Sequence, residues 1–370
     1  MTATLLTLNA GSSSVKFQVF GQDSALPRLA EGGVVNIGTA PVLTAARDGD
    51  ATQTTLTLPP QSASEDAVRA IIDWVHSHEE GWEITAVAHR IVHGGTAFTA
   101  PVRVTADVFH KLRLLIPLAP LHQPHNLAAL GIATRFLPHV PQIACFDTGF
   151  HACHTPLFTR FAIPQAMNDQ GVRRYGFHGL SYAWIAHVLK RDYPALATGR
   201  VIVAHLGNGA SLCALKNGGS IDTTMGMTAL DGVPMGTRCG AIDAGAVIHM
   251  IREQNLGADT VEHLLYEQSG LKGLSGISND VKTLLESTDP RAKFALDYFA
   301  LYVAKQAASM AVSIGGIDGF VFTGGIGEHA GPVRDAILMH LTFLNVPRSL
   351  VIPANEERMM AMQTIACLAG

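Results

Sequence analysis

Three short glycine-bearing segments carry the residue types that handle phosphate. In Asn9-Ala10-Gly11-Ser12-Ser13-Ser14-Val15-Lys16, glycine lets the backbone approach an anion, the hydroxyls of Ser12 and Ser14 donate hydrogen bonds, and Lys16 supplies a point charge. Asn9 can offer its amide oxygen to magnesium or to the water around it. The second segment is His205-Leu206-Gly207-Asn208-Gly209, and the third is Gly324-Gly325-Ile326-Gly327-Glu328-His329. Three glycines in four positions of that last segment suit backbone packing against an adenosine. Taken singly, each segment also reads as an ordinary polar turn or an Asn-Gly hairpin. Their order, and the repetition of one design in the first two, is what a purely structural reading leaves unexplained.

The elements around these segments must position them. Thr4–Leu8 is an apolar run suited to a strand, and after the Asn9–Ser14 turn Val15, Phe17 and Val19 alternate with Lys16 and Gln18. Period two on both sides of a turn predicts strand, turn, strand. A Rossmann or P-loop site would instead follow its glycines with a helix. The same unit recurs as the strand Val201–Leu206, the turn Gly207–Ser211 and the strand Leu212–Leu215, with a further hairpin turn at Asn217-Gly218-Gly219. Two such units half a chain apart predict two related halves. Ser64–His78 reads as a helix capped by Ser64 with Asp66 in its first turn, and Ala292–Ile314 as a long buried helix. That helix leads to a strand over Gly319–Phe322 and then to the third glycine segment.

Bulk properties bound the alternatives. The 370 residues suffice for two domains, 48% are apolar and only 15% charged, so a buried core is expected rather than disorder. A net charge of −4 gives no electrostatic reason for nucleic acid or an anionic membrane as partner. No apolar run reaches transmembrane length, because Lys305 and Gln306 interrupt the best candidate, and Leu5–Leu8 is too short for a signal peptide. Five scattered cysteines predict no disulfide framework and fit a reducing cytoplasm.

Further blocks make the chain comparable with a known family. They include His89-Arg90-Ile91-Val92-His93-Gly94-Gly95, Leu118-Ala119-Pro120-Leu121-His122, Phe146-Asp147-Thr148, Arg173-Arg174-Tyr175-Gly176-Phe177-His178-Gly179, Met235-Gly236-Thr237-Arg238 and Asn355-Glu356-Glu357. With the three glycine segments, the sequence resembles the acetate kinase family, which includes propionate and related short-chain carboxylate kinases of the acetate and sugar kinase/heat-shock chaperone/actin superfamily.

That resemblance implies an α/β protein of two duplicated ribonuclease-H-like (actin-like ATPase) domains with a nucleotide cleft between them. Residues 1–150 plus 353–370 would form the first domain, completed by the C-terminal helix, and 151–352 the second, nucleotide-binding one. It implies reversible in-line transfer from ATP to a short-chain carboxylate, with Mg2+ (or Mn2+), domain closure and a homodimer. By position, Arg90 matches the arginine that binds the substrate carboxylate and the migrating phosphoryl group, and Arg238 and His178 match the pair that stabilises the transition state. Asp147 matches an essential acid, Asn9 and Glu356 match magnesium-associated positions, and Gly11, Ser12 and Ser14 form the phosphate loop. Lys16, His205–Gly209, Asp280-Val281-Lys282 and Gly325–His329 match ATP-binding segments. Val92, Leu121 and Phe177 match the acyl pocket, with His122 in support.

The chemistry fits those residue types. Phosphoryl transfer spreads negative charge over the equatorial oxygens, so fixed cations and a metal are the main requirement. A short carboxylic acid has a pKa of ~4–5 and is already ionised at neutral pH, so no general base is needed. Asp147 is therefore expected to orient an arginine or metal-bound water rather than to take a proton. Three departures from the family pattern bear on the site. Lys282 replaces an arginine and loses its planar fork, His329 replaces an asparagine, and Ala229 replaces a proline of the acyl pocket and opens space for a longer acid. The region Gly21–Pro60 is short for the family. The rival to an enzyme is an actin- or chaperone-like ATP switch, which needs no acceptor site and so no Arg90, His178 and Arg238 set.

Overall fold

Alternating apolar residues and a few glycine turns build two sheets in the computed structural model, which describes residues 2–23, 25–50, 52–77 and 82–370. The chain divides into two units, Met1–Gly149 with Asn355–Gly370, and Phe150–Ala354.

In the first unit the strands are β1 (Thr2–Ala10), β2 (Val15–Gly21), β3 (Arg28–Val35), β4 (Val42–Arg47), β5 (Thr54–Thr57), β6 (Trp82–Ile91), β7 (Val102–Arg103) and β8 (Gln142–Phe146). Their order is β5-β4-β3-β2-β1-β6-β8-β7, with β1, β6 and β8 mutually parallel. Leu6, Leu8, Phe17 and Val19 from the sheet pack with Val68, Ile71, Ile72 and Val75 of helix Ser64–His76 and with Ala129, Ile132 and Ala133 of helix Gln123–Phe136. The Phe17 and Trp74 rings meet at 5.7 Å. The C-terminal helix Glu356–Ala369 also packs on β1, β6 and β8.

The second unit carries β9 (Arg200–Leu206), β10 (Ala210–Lys216), β11 (Gly219–Thr223), β12 (Gly319–Thr323) and β13 (Ser349–Val351), in the order β11-β10-β9-β12-β13. Strand directions repeat those of β3-β2-β1-β6-β8: two antiparallel pairings, then two parallel ones. This is the duplicated two-domain α/β architecture of actin-like ATPases. Helix Pro290–Ile314 buries Ala292, Ala295, Phe299, Val303, Ala307 and Met310 at spacings of three and four, which puts one face on β9, β10 and β11. Asp289 caps its start, and Gly315, at φ 78°, ends it.

Most expected elements form, with three differences. Helix 64–76 is preceded by Ala63 rather than capped by Ser64, and Asp66 accepts the Ala63 N–H at 2.9 Å; His78 lies outside the described residues. Gly324–His329, to which the sequence assigns no element, is a short helix. The short 21–60 region supplies β3, β4 and β5 of the large sheet. The Asn217-Gly218 turn closes β10 to β11 with both residues at positive φ, the mirror-image turn such a pair favours. Among the described residues no helix is long and apolar enough to cross a membrane.

Candidate active site

In open α/β sheets ligands bind beyond the carboxyl ends of parallel strands. At those ends in the first unit stand Asn9 on β1, Arg90 on β6 and Asp147 just after β8. The register places Arg90 opposite Cys145, and the Asp147 N–H continues the ladder onto the Ile91 carbonyl at 3.0 Å. Arg90 donates from Nε and Nη2 to one oxygen of Asp147, at 3.0 and 2.8 Å. The Asp147 side chain is 2% exposed and that of Arg90 22%. Burial alone would lower the Arg90 pKa, but the Asp147 charge and hydrogen bond, with Glu356 and Glu357 further off, outweigh it and raise it. The guanidinium is thus held ionised and aimed.

The same cluster extends to oxygen donors. Arg90 Nη1 reaches Asn9 Oδ1 at 3.4 Å, and Asn9 Nδ2 donates to Glu357 Oε1 at 3.2 Å. The second bond fixes which end of the Asn9 amide is oxygen, and that oxygen shares its surroundings with two carboxylates at the first turn of helix 356–369. Hard oxygen donors with surplus negative charge are what a magnesium ion accepts. Glu357, rather than Glu356, touches Asn9. The sequence offered both in one Asn-Glu-Glu run, without a signal to separate them. The second oxygen of Asp147, Oδ1, is buried without a hydrogen bond to any described residue.

Around this cluster, the Gly11 N–H closes the phosphate-loop turn onto the Ser14 carbonyl at 2.8 Å, leaving Gly11 and Ser12 exposed and Ser14 half-buried. Lys16 pairs in register with Asn9 and is exposed. Val92 is buried; its N–H donates to Asn126 Oδ1, and Asn126 Nδ2 returns to the Ala10 carbonyl, tying the Arg90 segment to the end of β1. His122 stands at the start of helix 123–136, and Leu121 before it is 40% exposed.

In the second unit the hairpin turn does the positioning. The Gly207 N–H donates to the Gly209 carbonyl at 3.0 Å, closing the turn between β9 and β10. A Cβ on Gly209 would lie 3.3 Å from His178 Nε2 and 3.4 Å from Arg238 Nη2, so both side chains face this turn. His178 sits at the entry to helix Gly179–Asp192 at φ 57°, a left-handed conformation that sets the ring's direction. Its Nδ1 lies 2.8 Å from Ser211 Oγ, and its ring stacks on His205 at 4.4 Å. Arg238 Nη1 donates to the Ala229 carbonyl at 2.8 Å. Asn208 is stitched to the Arg238 segment by the Gly236 N–H at 3.2 Å, and to Asn279, beside Asp280, at 3.2 Å. Phe177 is buried beside His178, and Leu206 is fully buried.

The last nucleotide segments are mixed. At the end of β12, Gly324 adopts φ 77° and approaches Leu206 so closely that a Cβ would fall 2.8 Å from its carbonyl oxygen. Glu328 Oε1 accepts the Gly324 and Ala354 N–H groups at 3.0 and 2.9 Å, which makes it a structural brace. Gly325 and His329 are exposed, Ile326 is half-buried and Gly327 buried. Asp280 caps helix Val281–Glu286, and the Thr283 N–H and hydroxyl that it accepts hold its carboxyl below the usual range. Val281 is buried and Lys282 exposed, so of that pair only the lysine presents a side chain to solvent. A cavity of about 400 Å³ backs on the Arg238 loop, lined by Pro234, Cys239, Gly270, Leu274 and Tyr298 among others; no candidate residue lines it.

The strand order and directions repeated in the two units define the class of the chain as actin-like ATPase, to which phosphotransferases belong. A model of the acetokinase family matches residues 4–361. An acetate kinase of Rhodopseudomonas palustris is 45% identical over 94% of this chain and 88% of its own length. One from Methylocella silvestris is 41% identical over 100% and 98%. Among solved structures, a propionate kinase from Francisella tularensis superposes with a TM-score of 0.90 at 33% identity, covering 98% of both chains. Porphyromonas gingivalis acetate kinase gives 0.87 at 32%, covering 99% and 100%. The chain belongs to the acetokinase family.

Proposed function

We propose that this enzyme transfers the γ-phosphoryl group of ATP reversibly to acetate, giving ADP and acetyl phosphate. The observation that carries the reading is the buried Arg90–Asp147 pair: it presents a guanidinium that cannot swing away, suited to a small carboxylate and its incoming phosphoryl group. Arg238 neutralises the equatorial oxygens and His178 donates a hydrogen bond to them, with the Gly207–Gly209 turn and the Gly11–Ser14 turn flanking the phosphates. Asp147 orients Arg90 and takes no proton, since the acceptor arrives ionised. Lys16, Asp280 with Lys282, and Gly325–His329 serve the nucleotide; Val92, Leu121, Phe177 and His122 serve the acyl group.

Magnesium would be held by Asn9 and Glu356, with Glu357 orienting Asn9. When bound it supplies neutralisation of polyphosphate charge. The enzyme works as a homodimer in the cytoplasm; sedimentation at micromolar concentration should give twice the 39.3 kDa chain mass.

Ala229 favours one variation, propionate as the acceptor, because it is smaller than the proline usual in the family. One methylene is worth about 1–3 kcal/mol in selectivity. Measuring kcat/KM for formate, acetate, propionate and butyrate should give an optimum at two carbons. An optimum at three would replace acetate by propionate, and activity with none of them would end the reading.

A further inference from the structure

Behind His178 runs a buried hydrogen-bonded chain. Ser211 Oγ, 2.8 Å from His178 Nδ1, is also hydrogen-bonded to the Tyr182 hydroxyl. Ser211 and Tyr182 are both fully buried, so neither hydroxyl can trade its partner for bulk water. Ser211 Oγ is the one hydrogen-bond partner of the phenol among the described residues. Tyr182 lies one turn into the helix that His178 opens, its N–H donating to the His178 carbonyl, while Ser211 is the second residue of β10. The ring therefore hangs between two rigid elements, with its other nitrogen, Nε2, facing the Gly209 turn beside Arg238.

We propose that Tyr182 and Ser211 are positioning residues that fix His178 as the neutral tautomer carrying its proton on Nε2, so that this nitrogen is a hydrogen-bond donor at the Gly207–Gly209 turn. The inference rests on the reading of His178 as a group that binds the transferring phosphoryl. It follows from placing each proton. If Tyr182 donates to Ser211 and Ser211 donates to Nδ1, both hydroxyl protons have acceptors. If the chain runs the other way, from an Nδ1–H to Ser211 to Tyr182, the phenol oxygen accepts from its one partner. Its own proton then has no acceptor among the described residues. A buried unpaired donor disfavours that arrangement by about tenfold or more. An imidazolium would require the same reversed chain. A proton on Nε2 is what an anionic oxygen needs; a lone pair there would repel it.

The direct test is long-range 15N–1H correlation on the full-length enzyme labelled with 15N-histidine at pH 7.5, using His178→Gln to identify the His178 signals. The expected result is a protonated Nε2 and an unprotonated Nδ1. A proton on Nδ1, or on both nitrogens, would overturn the proposal. In kinetics, Ser211→Ala should lower kcat by about 10–100-fold, the loss usual when the group orienting a functional imidazole is removed. KM for acetate and ATP should stay within about twofold. Ser211→Thr, which keeps the hydroxyl, should recover most of the rate, and Tyr182→Phe should show a smaller loss than Ser211→Ala. An unchanged kcat in Ser211→Ala would also overturn it. A fully active His178→Ala would instead defeat the catalytic reading of His178, while the tautomer is read from the wild-type chain and does not depend on activity.

Discussion

The two units place functional groups on the same strand framework but hold them by different forces. In the first, Asn9, Arg90 and Asp147 follow three adjacent parallel strands, and the cluster is locked by charge: a buried ion pair, an amide and two nearby carboxylates. In the second, the groups gather at the β9–β10 turn, where neutral groups hydrogen-bond to them: Ser211 to His178, the Ala229 carbonyl to Arg238 and the Gly236 amide to Asn208. A duplicated sheet thus supplies equivalent positions without equivalent chemistry. The charge-locked half can tolerate a cation next to an arginine because its carboxylates outnumber its guanidinium. In the second cluster the hydrogen bond seen for Arg238 goes to a backbone carbonyl, which leaves its charge in place. Losing one residue of the first cluster should accordingly cost more stability than losing one of the second, and losing Arg238 should cost more rate.

The largest expected effect breaks the comparison on the second side. Arg238→Ala should lower kcat by about 10³-fold or more, the range for an arginine that meets transition-state charge, with little change in melting temperature. Next, Arg90→Ala and Asp147→Ala should each cost about 10²–10³-fold in kcat/KM. Because the two side chains act as one unit, the double variant should lose little more than either single. Asp147→Ala should also destabilise the fold by up to about 3 kcal/mol, the low end for a broken buried pair because Arg90 keeps some solvent.

A third prediction asks whether both units share a pH weakness. Burial lowers the pKa of His89 and His93 in the first unit to about 4, and of His151 and His154 in the second to about 3 and about 4. The folded state then refuses protons that the unfolded chain accepts below 6.5, so stability is complete above pH 6.5 and falls as pH drops toward 4. His89, held against Gln142 at 2.7 Å, should contribute on the order of 3 kcal/mol of that loss. Calorimetry between pH 7 and 4 should show the decline, and His89→Gln should flatten it; a melting temperature constant over that range would refute the assignment. The smallest effect comes from Gly209→Ala. Its methyl would press His178 and Arg238 apart by tenths of an ångström, costing about 1–3 kcal/mol, seen as a drop in kcat larger than any change in stability.

Much of this division was legible in the sequence because its signals are local. The period-two runs flanking Asn9–Ser14 and Gly207–Gly209 marked both hairpins, and Asn217-Gly218 named its own turn type. The long helix after Pro290 announced itself by apolar spacing. Two local features escaped notice. The short helix Gly324–His329 left no signal because glycine disfavours helix, and Glu328 braces it by accepting the Gly324 N–H and, from 26 residues on, the Ala354 N–H. Ser64 looked like a cap, but the reach of Asp66 back to Ala63 shifted the boundary by one residue. The partners Glu357, Ser211 and Tyr182 were invisible as functional residues for another reason: each matters through a contact made across the fold. Neighbours 348, 33 and 29 positions apart leave no periodic trace.

The account stands or falls on whether phosphoryl transfer ends on a carboxylate. Incubating the enzyme with ATP, magnesium, acetate and hydroxylamine should produce acetohydroxamate in step with ADP, and Arg90→Ala should lower both together by about 10²–10³-fold. ADP released at an undiminished rate without hydroxamate would mean that the phosphoryl group goes to water, and the site described here would not be an acyl-phosphate-forming one.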